Sequence, residues 1–146
     1  MPIALRNAEV VWDGTLASGS GALSSGSGAL DLPVTWAART ERPNGKTSPE
    51  ELIAAAHASC FAMALALVLG EAHKPPEQLT VTAACTLDEV DGAPRITTVE
   101  LAVRGAVPDL DAAGFEQHVA QAAGLCPVSN ALRGNVEISV TSEFAG

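Results

Sequence analysis

SPEELIAAAHASCFAMALALVLGEA, residues 48–72, is the stretch whose reading decides the fold. From Leu52 to Leu69 only His57, Ser59 and Cys60 interrupt an apolar run. Its length sits at the lower edge of a bilayer span, roughly 17–25 residues. The run is rich in Ala, and its immediate flanks are Glu50-Glu51 and Glu71, which are the wrong anchors for a membrane. A helix apolar all round that is not in a membrane is the central helix of a compact protein. Its start is well marked: Ser48 can cap, Pro49 suits the first helical position, and Glu51 three residues after Ser48 completes a capping box. Gly70 ends the run and Pro75-Pro76 prevent any continuation. The pattern predicts a buried helix over 49–69.

Outward from this helix the chain reads as strands. IALRNAEVVW looks like a first strand, and SGSGAL occurs twice, at 18–23 and 25–30, each copy closed by a Leu. These copies read either as a flexible Gly/Ser linker or, preferred because a Leu closes each, as two short strand or turn segments. LPVTWAART continues in strand-like composition before the turn-rich ERPNGKTSP. Beyond the helix, QLTVTAACTLDEV and RITTVELAVRGAV alternate apolar and polar residues around DGAP, a hairpin pattern. Residues 111–124 predict a second helix with Phe115, Val119 and Ala122 or Ala123 inward. CPVSNAL starts another short helix, and NVEISVTSEF closes as a strand. The order βββ-α-ββ-α-α-β has too little alternation for a doubly wound sheet. An α+β fold is expected, with antiparallel sheets around the long buried helix, as one domain over 1–146.

Charge narrows the partners. Residues 1–47 balance four basic against four acidic groups, so the net charge of -9 resides wholly in residues 48–146. Such a chain attracts no polyanion, which argues against nucleic acid and anionic membranes. The N-terminus lacks a basic segment followed by a continuous apolar one, so no signal peptide is expected. Three cysteines without close spacing make no structural disulfide framework and suit a reducing compartment, the cytoplasm.

The cysteines differ in promise. Cys85 lies mid-strand, where a small buried hydrophobe is expected. Cys60 lies inside the long helix. Cys126 directly precedes Pro127 and so falls near the N-cap of the short helix, where backbone N–H groups can lower a thiol's pKa. His57, three residues before Cys60, shares its helix face. That pair admits a cysteine hydrolase with His57 as base. Two ligands are too few for zinc, so no metal is expected. His73 and His118 read as surface residues, and a non-catalytic binding protein with an acidic shell remains a third reading.

PEELIAAAHASCFAMALA followed by CPVSNAL, with 66 positions from Cys60 to Cys126, resembles the family of osmotically inducible protein C and organic hydroperoxide resistance proteins. The order of elements matches across essentially the whole chain. AAHASC and AARTER look more like the osmotically inducible branch. The resemblance implies a thiol-dependent peroxidase acting on organic hydroperoxides in stress defence. It also implies an intertwined homodimer with no metal or prosthetic group. Cys60 would be the peroxidatic thiolate and become a sulfenic acid. Cys126 would resolve it as a disulfide, which an external dithiol, a lipoylated protein fitting best, would reduce. Arg39 would match the arginine that holds the thiolate, with Arg42 as the alternative, and Glu50 the carboxylate that orients it. A cysteine among apolar side chains needs such a cation to ionise, and the cation in turn needs a carboxylate. An apolar pocket would favour alkyl or lipid-derived hydroperoxides over hydrogen peroxide. Glu50 precedes Cys60 by ten residues, roughly 15 Å along one helix and about 80° off its face. If Glu50 serves the site, it and Arg39 are therefore expected from the second subunit.

Overall fold

The computed structural model describes residues 1–146. The chain forms two compact units, Met1–Leu52 and Ile53–Gly146. Across them the architecture is α+β, with two three-stranded sheets and one long helix.

In the first unit β1 (Ala8–Asp13), β2 (Ser20–Ser25) and β3 (Asp31–Val34) form an antiparallel meander. The two SGSGAL copies have different fates. The first becomes β2, whereas the second makes the turn to β3. There Gly28 adopts a φ of +79°, and the hydroxyls of Ser27 and Ser25 accept from the amides of Ala29 and Leu30. LPVTWAART is also divided, contrary to its reading as a strand. Thr35 caps a short helix α1 (Trp36–Thr40) by accepting from the Ala38 amide at 3.1 Å, so Arg39 lies on a helix. A hydroxyl that satisfies an exposed helix-start amide outweighs the β-propensity of the flanking residues.

The long helix α2 runs from Pro49 to Glu71. Its start is half a capping box. Ser48 Oγ accepts from the Glu51 amide, but the Glu51 carboxylate accepts from the Thr47 hydroxyl at 2.8 Å. Its end also departs from expectation, because Gly70 stays helical. His73 takes the left-handed conformation at φ +58°, and the amides of His73 and Lys74 reach back to the carbonyls of Gly70 and Leu69. That pair of bonds is a Schellman stop built without glycine.

In the second unit β4 (Gln78–Val90) and β5 (Ala93–Ala106) pair as a long antiparallel hairpin. Asp91 and Gly92 turn it, both at positive φ, as a two-residue hairpin turn requires. Helices α3 (Ala112–Leu125) and α4 (Pro127–Leu132) then lead to β6 (Glu137–Phe144). The sheet is not wholly antiparallel: β6 pairs parallel to β5. A connection built of two helices carries the chain back to the end at which β5 began, which is what a parallel neighbour needs.

The core of this unit packs Phe61, Leu65, Val68 and Leu69 of α2 against Val99, Leu101 and Val103 of β5 and Phe115, Val119 and Ala122 of α3. Each large side chain contributes about 1.5–3 kcal/mol by leaving water. The helix is not buried all round, however. Met63 and Leu67 are exposed in the single chain, so its uniform apolarity serves a core on one face only.

Candidate active site

Cys60 and Cys126 come from different elements and meet. Cys60 lies in the middle of α2 and Cys126 is both the last cap of α3 and the first of α4. The Cys126 amide closes α3 on the carbonyl of Ala122 at 2.9 Å, while Pro127, unable to donate, opens α4. The interhelix joint therefore places Cys126 at the N-cap of α4. The two thiols pack in the same core cluster, near enough to shift each other's acidity, and neither is in a disulfide. Cys126 is fully buried, and Cys60 only partly.

Their acidities diverge. Burial pushes the Cys60 thiol up, a backbone N–H at Val128 opposes this, and the neighbouring Cys126 pushes it up further. Burial acts in the same upward sense on Cys126. It is outweighed there by hydrogen bonds from the Ser129 hydroxyl, the Ser129 and Val128 backbone and Cys60, so the net shift is down. The two thiols therefore shift in opposite directions, Cys60 up and Cys126 down.

His57 points away from the hydrolase reading. It is wholly buried, and its Nε2 bonds the Ser129 hydroxyl at 2.6 Å rather than serving Cys60. Burial lowers its pKa, favouring the neutral ring. Sequence reasoning passed over Ser129, although its place three residues after the N-cap Cys126 is where a first-turn side chain meets a capping group. Cys85 packs against the core from β4. His118 donates from Nδ1 to the Gly114 carbonyl and His73 is exposed.

Arg39 and Glu50 form their own cluster in the first unit. Arg39 donates from Nε and Nη2 to both Glu50 oxygens at 2.9–3.2 Å, a bidentate pair. Its guanidinium lies 5.9 Å from the Trp36 ring centre. Glu50 is buried at 6% exposure, so losing Arg39 would leave a buried carboxylate without its partner. Arg42 does not take part in this pair. It lines a shallow surface depression with Ala37, Glu41 and Asn44. The Arg39 Nη1 group is uncommitted, and a planar fork fixed on one edge can present the other to an anion.

Residues 42–141 match the family model described as OsmC-like protein. The chain is 40% identical over 134 residues to "Peroxiredoxin OsmC" of Escherichia coli (strain K12), covering 91% of this chain and 93% of that protein. It is 33% identical over 112 residues to "Organic hydroperoxide resistance protein OhrA" of Bacillus subtilis (strain 168), covering 76% and 77%. Among solved structures, that of organic hydroperoxide resistance protein OhrB of Bacillus subtilis superposes with a TM-score of 0.76 at 32% identity, over 96% of this chain and 100% of the other.

Proposed function

Because the chain belongs to the OsmC-like protein family, we propose that it is a cysteine-based peroxidase that reduces organic hydroperoxides in the cytoplasm as part of stress defence. The names of its relatives support a peroxidase-type role. The observation that supports the cysteine mechanism is that Cys60 on α2 and Cys126, the N-cap of α4, are two free thiols in one core cluster.

Cys60 is the more accessible thiol and therefore the one a peroxide meets. Its thiolate attacks the terminal peroxide oxygen. The O–O bond breaks, Cys60 becomes a sulfenic acid and the alkoxide leaves to be protonated as an alcohol. Cys126 then attacks the Cys60 sulfur, expelling water and forming the disulfide. An external dithiol, a lipoyl group fitting best, returns both thiols in a two-electron step. No bound cofactor enters these steps.

Burial raises the Cys60 pKa, so the reaction needs a cation beside it. In this reading Arg39, aligned by Glu50, supplies that charge from the second subunit of a homodimer. A dimer would also cover exposed apolar residues such as Met63 and Leu67. The hydrolase reading loses ground because the Nε2 of His57 is engaged by Ser129.

Adding one equivalent of an alkyl hydroperoxide to the reduced protein should remove two hydrogens from its mass, mapped to Cys60–Cys126. Cys60→Ser should consume no peroxide, and Cys126→Ser should perform one turnover and retain a sulfenic acid at Cys60. An unchanged mass in the wild type, or equal multiple-turnover rates for wild type and Cys126→Ser with a dithiol, would overturn the mechanism.

A further inference from the structure

His57 and Ser129 lie 72 positions apart, yet they bond at 2.6 Å inside the second unit, at 0% and 2% exposure. The peroxidase steps above use neither. A buried polar pair of this kind costs desolvation unless its hydrogen bonds are made, so its bond pattern carries information. His57 Nδ1 finds no partner among the protein's groups. An unmet acceptor is better tolerated in a core than an unmet donor. The neutral ring therefore carries its hydrogen on Nε2, and that N–H donates to Ser129 Oγ. With its oxygen so occupied, the Ser129 hydroxyl keeps its own hydrogen to give. Ser129 stands three residues after Cys126, in the first turn of the helix that Cys126 caps, and its hydroxyl lowers the pKa of that thiol.

We propose that His57 and Ser129 are positioning residues that hold Cys126 as a departing thiolate, so that a reducing thiol enters the Cys60–Cys126 disulfide at the Cys60 sulfur. The inference rests on the peroxidase reading and deepens it. Which sulfur of a disulfide is attacked depends on access and on which thiolate leaves more readily. Access favours Cys60, because Cys126 is fully buried. Departure favours Cys126, because the buried His57–Ser129 pair, bonded at 2.6 Å, fixes the Ser129 hydroxyl in the first turn of the helix that Cys126 caps, where a hydroxyl can donate to a departing thiolate. The incoming thiolate forms a new S–S bond to Cys60, the Cys60–Cys126 bond breaks, and its electron pair leaves on Cys126. A second thiol of the reductant then attacks the mixed disulfide and releases Cys60 as a thiolate. The reductant is oxidised to its own disulfide, and two electrons have passed.

The test uses the full-length protein with its disulfide formed by diamide, a thiol oxidant. Failure of the peroxide chemistry is then distinguishable from failure of the opening order. A small monothiol, 2-mercaptoethanol, is added, the mixture is acid-quenched and alkylated, and each cysteine is mapped by mass spectrometry. The expected result is the monothiol on Cys60 and the alkyl group on Cys126. Ser129→Ala should slow opening by about tenfold, the loss of one hydrogen bond to a charged group, and spread the adduct over both cysteines. Ser129→Thr, which keeps the hydroxyl, should restore rate and position. His57→Gln, which keeps an N–H donor, should outperform His57→Leu, with urea midpoints measured alongside to separate folding from chemistry. An adduct on Cys126 in the wild type, or Ser129→Ala indistinguishable from wild type in rate and position, would overturn the proposal. Failure of diamide to link Cys60 to Cys126 would overturn it too, together with the peroxidase reading.

Discussion

Of the three histidines only His57 is fully buried, and that placement ties the stability of the second unit to pH. Burial disfavours its charged form, so its folded pKa lies below the unfolded value of about 6.5. The sign follows directly. The contribution of the neutral ring is complete above about pH 6.5 and is lost as pH falls through the folded value, because unfolding then takes up a proton. Urea midpoints should therefore begin to fall below about pH 6.5, with a slope of at most about 1.4 kcal/mol per pH unit from this one group. His57→Gln should remove that part of the slope. Identical pH profiles for the two proteins would place the acid sensitivity elsewhere. The thiols show the same logic at shorter range: both feel the Val128 backbone, but only Cys126 also has Ser129 to offset its burial, so the two shift in opposite directions.

At the level of elements, α3 packs over the second sheet beside β6, and Gly105 of β5 leaves the space that its Phe115 ring fills. A Cβ at that position would stand 2.5 Å from Cε1 of Phe115. The ring has no room to yield, being 1% exposed and set 5.7 Å from the Phe144 ring at a tilt of 40°. Gly105→Ala should destabilise the protein by about 1–3 kcal/mol, as overpacked cores do. Gly70 offers the opposite case, a helical glycine with nothing within 4 Å of an added Cβ. Gly70→Ala should stabilise by about 0.5–1 kcal/mol, because alanine loses less backbone entropy in a helix. Chemical denaturation of both variants checks the pair, and shifts of the same sign would contradict the packing argument.

The whole molecule must bring a cation to Cys60. Arg39 and Glu50 are committed to each other near the start of α2, and Glu50 is ten residues, roughly 15 Å of helix, from Cys60. Under the proposed mechanism the pair acts on the thiol of the other subunit, and a two-fold dimer would hold two equivalent sites. Mixing Glu50→Ala with Cys60→Ser subunits, each inactive alone, should then restore one working site in each heterodimer. Heterodimers confirmed by native mass spectrometry but lacking activity would mean that the site is built within one chain.

The sequence by itself determined the long helix, its Ser48-Pro49 start, the Asp91-Gly92 hairpin and the inward residues of α3. All of these are written in local chemistry: a cap, a missing N–H, a positive φ or a helical period. It also pointed to Cys60 and Cys126, through a pair of motifs whose spacing is specific. It left undetermined that the second SGSGAL copy turns, that Thr35 starts a helix, that β6 runs parallel to β5 and that one face of α2 stays open. These depend on which backbone groups find partners far along the chain, and on which apolar faces meet. Tertiary structure alone decided the role of His57. Its helix face suggested Cys60 as partner, but rotamer and packing turned its ring to Ser129, 72 positions away. A polar group excluded from water bonds whatever donor or acceptor the fold brings within reach, and sequence spacing does not encode that distance.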